Sequence, residues 1–241
     1  MKIDVTTTAM PRPELLDKTY SSFVRHTDIQ FDRLFLNVDS FPDMSAEERL
    51  EKSQACIDVA KKYFHEVISN ITEVGCFPAA VKWCWQLADT DYILHLEDDW
   101  ELFTDACLSD LLPMFTPDIY QVSLRAYARQ TPRFMLCPSL IRQDCYKAVA
   151  ENLPADKNPE VWIRLQNRWK SVTYPAIPYD KIIIKDLGRD WLRDSKWVRC
   201  HNFEDRFLRY DTKTEKNRKH GITQTNQAIL ADRAKEKYAS H

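Results

Sequence analysis

Glycine is the scarcest feature of this sequence. The 241 residues include three, Gly75, Gly188 and Gly221, and none precedes position 75. A glycine-rich turn after the first strand, of the kind that cradles phosphates in dinucleotide-binding or P-loop proteins, is therefore excluded. The seven cysteines (56, 76, 84, 107, 137, 145 and 200) are odd in number and include no CxxC pair. That argues against a disulfide scaffold and a structural zinc site, and for small buried residues in a reducing compartment. No stretch approaches the roughly 18 apolar residues of a membrane span. The first residues, MKIDVTTTAMPRP, lack the apolar segment of a secretory leader. The expectation is a cytoplasmic protein without a membrane span, in the host cytoplasm if viral.

What is present is ordinary for a globular chain: 44% hydrophobic and 29% charged residues, enough for one substantial core. The net charge of −2 hides an asymmetry, because residues 181–241 hold 15 Lys/Arg against 9 Asp/Glu. A basic end suits an anionic partner, and it equally suits a solvated terminal helix.

Along the first half, strand and helix patterns alternate. Ile3–Thr8 is rich in β-branched residues and is closed by Pro11 and Pro13. Pro13–Val24 has helical spacing, Leu34–Val38 reads as a strand, and Ser45 with Glu48 forms a capping box for a helix to about Tyr63. His65–Ser69 is a short strand. Ala80, Trp83, Cys84, Leu87 and Ala88 mark one face of a helix, and Tyr92–Leu96 is a fourth strand running into Glu97-Asp98-Asp99. The later pattern is mixed. Strands are expected at Ile119–Leu124, Phe134–Leu136 and Lys181–Ile184, and helices at Ser139–Asn152, Pro159–Trp169 and Thr223–Tyr238, with a polar loop from Arg206 to His220.

Alternating strands and helices predict an α/β fold, a mostly parallel sheet with helices on both faces and a mixed C-terminal half. Ligands of such sheets bind beyond the carboxyl ends of the strands. Thr6–Thr8, Asn37 with Asp39, and Glu97–Asp99 all stand at such ends. Three adjacent carboxylates after a buried strand repel one another unless a cation intervenes. Oxygen ligands select Mg²⁺ or Mn²⁺, which can neutralise a departing diphosphate. The plain alternative is a solvated acidic turn that caps the next helix.

With these residues in view, TTTAMPRPELLDKTYSSF, RLFLNVDSF and LADTDYILHLEDDW together resemble the GT-A fold glycosyltransferases, particularly their family 2-like branch. The likeness covers about the first hundred residues well. It implies a nucleotide-sugar donor, with a UDP-sugar the expected one, and Mn²⁺ or Mg²⁺ as cofactor. Carried over by position, Thr6, Thr7, Thr8 and Arg12 would line the base pocket, and Asp39 would sit by the base or ribose. Glu97 or Asp98 would lie near the ribose, and Asp99 would ligate the metal. Glu97 stands where this family usually has the first Asp of its DxD motif, which makes it a further candidate ligand, and His201 is another because many members take a ligand from a His near the C-terminal end of the catalytic core. The resemblance also asks for a base some tens of residues beyond the motif. Glu160, after Pro159 at a helix start, is the candidate, and Asp156 is the alternative. Each has a plain reading beside it: Arg12 as a turn residue, Glu160 as a helix-dipole partner, His201 as a packed ring.

Residues 1–205 are expected to form the catalytic domain, with residues 1–100 as the donor half and 101–205 as the acceptor half. Residues 206–241 then form a basic tail. Arg125, Arg129, Arg133 and Arg142 cluster with no acidic residue until Asp144, and five of the seven tryptophans fall beyond position 99. Basic residues interleaved with aromatics suit a nucleic acid, and the resemblance, which extends to compact glycosyltransferases that modify viral DNA, implies a hydroxymethylated base as one candidate acceptor. A saccharide or lipid-linked hydroxyl is the other. A nucleotidyltransferase or a non-catalytic nucleotide-binding module are the competing classes.

Overall fold

β-Branched residues fill Ile3–Ala9, the strand β1, and every residue of it is buried. The computed structural model describes residues 3–41, 44–125, 134–173, 184–194, 197–199 and 207–209. After β1 come α1 (Pro13–His26), β2 (Phe31–Val38), α2 (Ala46–Ala60), β3 (Glu66–Ile71), α3 (Phe77–Leu87), β4 (Tyr92–Glu97) and β5 (Trp100–Leu102). A 3₁₀ helix (Leu108–Met114) leads to β6 (Ile119–Ser123), β7 (Ser139–Arg142), α4 (Gln143–Asn152), α5 (Pro159–Leu165) and β8 (Lys170–Thr173). β9 (Ile184–Asp186), α6 (Gly188–Asp194), β10 (Trp197–Arg199) and β11 (Phe207–Arg209) follow.

Seven strands form one sheet in the order β3-β2-β1-β4-β7-β6-β8. β7 runs against both β4 and β6, and every other neighbouring pair is parallel. The α/β fold is thus a mostly parallel sheet with helices on both faces. Pro13 sets the first turn of α1, whose stripe Leu16, Tyr20 and Phe23 enters one core with Cys56 and Val59 of α2. Ser45 Oγ accepts from Glu48 N at 3.1 Å and starts α2. On the opposite face, Val81 and Trp85 of α3 pack with Tyr146 and Val149 of α4. Burying each large side chain contributes about 1.5–3 kcal/mol, so these stripes fix which face of each helix meets the sheet.

Sheet order also fixes where a ligand can enter. The chain moves outward from β1 through β2 to β3, then returns to place β4 on the other side of β1. Connections that leave in opposite directions open a crevice at the carboxyl ends of the two strands between them. Here those ends are Thr8 and Glu97, which are register partners. A second pairing, of β5 with β9, sets Trp100 against Asp186 and brings a distant segment to the same place.

The second half departs from expectation in four places. Ser139–Arg142 is a strand, not the start of a helix, and helix α4 begins at Gln143. Leu140 and Ile141 are both fully buried because this sheet is covered on both faces, and such strands show no alternation. Phe134–Leu136 is irregular, although its backbone is satisfied: Met135 N donates to Gln121 Oε1 at 3.2 Å and Leu136 N to Glu160 Oε1 at 2.8 Å. α5 stops at Leu165 instead of Trp169, and Asn167 follows in the left-handed region at φ 57°. Phe207–Arg209, placed in a loop by the sequence, pairs as β11 with β10. Residues 181–183 of the late strand and the terminal helix lie outside the described residues.

Candidate functional site

β4 delivers Glu97, Asp98 and Asp99 to the crevice, and the three do different things. Asp98 is buried. Its Oδ2 accepts from Arg12 Nε at 2.8 Å and from Met10 N at 3.2 Å, and its Oδ1 accepts from Arg12 Nη2 at 2.6 Å. Asp99, which is half-buried, accepts from Arg12 Nη2 at 3.0 Å through Oδ2. Glu97 braces the turn from its own side chain, its Oε2 accepting from Trp100 Nε1 at 3.1 Å. The turn is held from below by Thr19 of α1, whose Oγ1 donates to Asp98 O and accepts from Trp100 N.

Charge in this corner is unbalanced. Burial, with the neighbouring Asp99 adding to it, pushes the Asp98 carboxyl up to about 6 in spite of Arg12. Arg12 is desolvated too, yet Asp98 and Asp99 hold its guanidinium protonated more firmly than usual. Arg12 sits just ahead of α1, caps nothing with its side chain, and lies 2% exposed beneath the Trp191 ring, 5.0 Å from its centroid. Trp191 stacks on Phe41 with centroids 5.7 Å apart, so α6 closes over the ends of β1 and β2.

Neither Asp186 nor the role of Gly188 is foreseen by motif or periodicity. Leu187 N donates to Asp99 O at 2.7 Å, which presses the start of α6 onto the acidic turn. A Cβ on Gly188 would overlap Asp99 Oδ2, come within 2.9 Å of Asp99 Cγ and stand 3.3 Å from Asp186 Oδ1. The missing side chain of Gly188 thus makes room for the Asp99 carboxylate, beside an Asp186 whose Oδ1 accepts from Arg189 N at 3.3 Å and whose Oδ2 accepts from Arg189 Nε at 3.1 Å. The only early signal was the rarity of glycine itself. The pairing of β5 with β9 spans too much sequence to be read from pattern.

The remaining candidates are dispersed. Asp39 is buried, and its Oδ1 accepts from Asn37 Nδ2 and Thr72 Oγ1, each at 2.7 Å, while its Oδ2 accepts from Cys76 N at 3.1 Å ahead of α3. Thr8 Oγ1 is buried at the end of β1 with no hydrogen-bond partner among the described residues. Thr6 is internal, 3.0 Å from His95 Nδ1, which also accepts from Trp85 Nε1 at 3.3 Å. The indole can only donate, so the His95 proton is on Nε2. Burial takes the His95 pKa down to about 3, and the ring stays neutral. Thr7 is fully buried on the opposite face of β1.

Glu160 does not touch the acidic turn. It accepts from Leu136 N and, at 3.4 Å, from Arg164 Nη2. Cys137, whose thiol is pushed up to about 12 by burial, has Glu160 and Glu97 as acidic neighbours that add to the shift and Arg125 as a basic one that opposes it. Arg125 lies over the Trp100 ring at 5.2 Å. Asp156 is exposed, and its hydrogen bond from Lys157 lowers its pKa. His201, Arg129 and Arg133 lie outside the described residues. Arg142 is spent on Asp144 and on the carbonyls of Thr116 and Pro117. Trp162 packs against Trp169 with centroids 6.1 Å apart. A cavity of about 730 Å³ between α5 and β8 includes Ile119 and Lys170, the leading residues of β6 and β8. It is therefore at the end of the sheet opposite Glu97 and takes no part in this site. Among the described residues no group of three or more His, Cys, Asp or Glu is gathered tightly enough to hold a metal, and no helix is long and apolar enough to cross a membrane.

With that geometry known, the comparison with solved structures is informative. A mannosyltransferase from Pyrobaculum calidifontis, PcManGT, solved with GDP-Man and Mn²⁺, matches 71% of this chain at 11% identity with a TM-score of 0.52. S. aureus TarS 1-349 matches 80% of the chain at 10% identity and a TM-score of 0.53. Its complex with UDP-GlcNAc matches 76% at 12% identity and 0.52. The fold is that of the GT-A glycosyltransferases. The chain spans 55%, 63% and 58% of those three chains, so their common ground with it is the GT-A core. No protein-family profile and no curated protein sequence matches the chain.

Proposed function

We propose that this GT-A chain is a glycosyltransferase that takes a sugar from a nucleotide diphosphate donor, a UDP-sugar being the expected one, bound in the crevice between β1 and β4. The observation that carries the reading is the meeting of Arg12, Asp98 and Asp99 at the point where the sheet order reverses. Support comes from two neighbours of the same fold, one solved with GDP-Man and Mn²⁺ and one with UDP-GlcNAc.

Asp99 offers an oxygen of the kind Mn²⁺ or Mg²⁺ takes, and the diphosphate of the donor would have to supply other ligands of such an ion. Both Asp98 oxygens are consumed by Arg12 and Met10 N, so Asp98 is not a ligand. Asp99 engages Arg12 through Oδ2, so its Oδ1 is the oxygen that would take the ion, whereas both Asp186 oxygens accept from Arg189 and Asp186 serves to position the turn. Glu97 and His201 complete the candidate set. When bound, the ion would offset charge on the departing diphosphate. The chain's own residues do the rest. Asp39, fixed by Asn37, Thr72 and Cys76 N, presents a carboxylate to an N–H or O–H of the base or ribose, and Thr8 Oγ1 is free to hydrogen-bond beside it. Glu160 takes the proton of the acceptor hydroxyl while the acceptor oxygen bonds to the sugar carbon and the sugar–phosphate bond breaks. Asp156, exposed and paired with Lys157, is the weaker candidate.

Two supports for a DNA acceptor are spent on internal contacts, since Arg142 holds Asp144 and Trp191 stacks on Phe41. That weakens the argument for DNA, and a saccharide or lipid-linked hydroxyl is the acceptor we carry forward. A screen of UDP- and GDP-sugars for slow donor hydrolysis with Mn²⁺ tests the proposal. Release of one nucleotide diphosphate above background supports it. Binding of a nucleotide without turnover by any donor or acceptor would leave a binding module instead.

A further inference from the structure

Arg12 is the resident counter-cation of the acidic turn, we propose, and it competes with a divalent ion for Asp99 while Asp98 keeps it in place. This inference rests on the proposed donor site and concerns how that site is gated. Arg12 Nη2 carries two hydrogens and directs them at two different carboxylates, to Asp98 Oδ1 at 2.6 Å and to Asp99 Oδ2 at 3.0 Å. Nε adds a second bond to Asp98 at 2.8 Å, so Asp98 receives the fork and Asp99 the single arm. The clamp is rigid for three reasons on the page. Asp98 is fixed by Met10 N, Arg12 is 2% exposed, and Trp191 covers the guanidinium.

An ion approaching Asp99 thus meets a carboxylate already compensated by a fixed positive charge. Binding of the ion without donor is weak, because Arg12 repels it and holds one Asp99 oxygen. A nucleotide diphosphate brings its own negative charge and reverses that balance, so ion and donor bind together better than either binds alone. Arg12 and Asp98 are positioning residues in this scheme. Their effects on ion affinity have opposite signs, although they form one ion pair. Removing the Arg12 charge exposes an uncompensated anionic turn and tightens the ion. Removing the Asp98 charge leaves Arg12 to Asp99 alone and loosens it.

The test is calorimetric titration of Mn²⁺ into the full chain without nucleotide, on wild type, Arg12→Gln and Asp98→Asn, each checked for a cooperative melt. The expected result is tightening by about tenfold or more for Arg12→Gln and weakening for Asp98→Asn. A purely structural pair would shift both in the same direction, and that outcome overturns the proposal, as does absence of Mn²⁺ binding to every variant. Should Arg12→Gln not fold, Arg12→Lys keeps the charge. It must then stay within a few-fold of wild type while Asp98→Asn weakens, and tightening for Asp98→Asn overturns the proposal. Opposite shifts with no turnover of any donor would sink the transferase reading and leave this one standing. Donor turnover with parallel shifts would do the reverse.

Discussion

Asp99 and Gly188 are in such close contact that a single methyl group on the glycine would occupy the space of the Asp99 carboxylate. The contact follows from β5 and β9 pairing Trp100 with Asp186, which lays the first turn of α6 on the acidic turn. A side chain at 188 must therefore displace the group on which the proposed chemistry depends. Gly188→Ala is expected to lower donor turnover by about 10²-fold, since an ångström of misplacement at a reacting group has that effect. The melting temperature should move by only a few degrees. Unchanged turnover would remove Asp99 from the site.

Asp98 and Asp99 should separate stability from activity. Asp98→Ala strands a buried guanidinium, and breaking a buried pair in this way costs about 3–5 kcal/mol. Asp99→Ala removes the half-buried partner and should cost much less, while abolishing transfer. Chemical denaturation alongside a turnover assay checks both. Equal destabilisation by the two substitutions would contradict the division of labour drawn here.

His95 makes stability depend on pH. Its folded pKa is about 3, below the ordinary value of 6.5, so between those limits the unfolded chain binds the proton and the folded chain does not. The stability that depends on neutral His95 is present above pH 6.5 and is lost as pH falls toward 3, by several kcal/mol at most. His95→Gln should flatten that slope between pH 6.5 and 4 in urea melts. A wild-type slope that persists in the variant would assign the effect to other groups.

Much of the first hundred residues was legible because each element there carries its own signal. Ser45 with Glu48 marks the start of α2, and the apolar run Tyr92–Leu96 ends on three carboxylates whatever else the chain does. β7 was not legible, because burial on both faces erases the alternation that would have set it apart from α4. Nor was the fate of the three threonines, although period-two geometry puts Thr6 and Thr8 on one face of β1 and Thr7 on the other. The Arg12–Asp98 clamp and the placement of Asp186 depend on pairings between distant parts of the chain, and nothing local to either residue announces them.

Glu160 offers a cleaner separation of roles than most carboxylates. Glu160→Gln retains an oxygen that can accept from Leu136 N, so the 134–136 segment should keep its place. As a base, however, the amide is inert, and the rate should fall by about 10² or more with donor affinity nearly intact. An unchanged rate would leave Glu160 with its hydrogen bond to Leu136 as its whole purpose.

The central claim is that a nucleotide sugar binds at the β1–β4 crevice with a divalent ion on Asp99. Calorimetry with UDP and GDP, with Mn²⁺ and then with EDTA, on wild type and Asp99→Asn, tests it most directly. The account predicts that wild type binds one of the two nucleotides with Mn²⁺, and that affinity falls by about tenfold or more in EDTA or in the variant. Equal affinity in all three conditions, or no binding of either nucleotide, would contradict it.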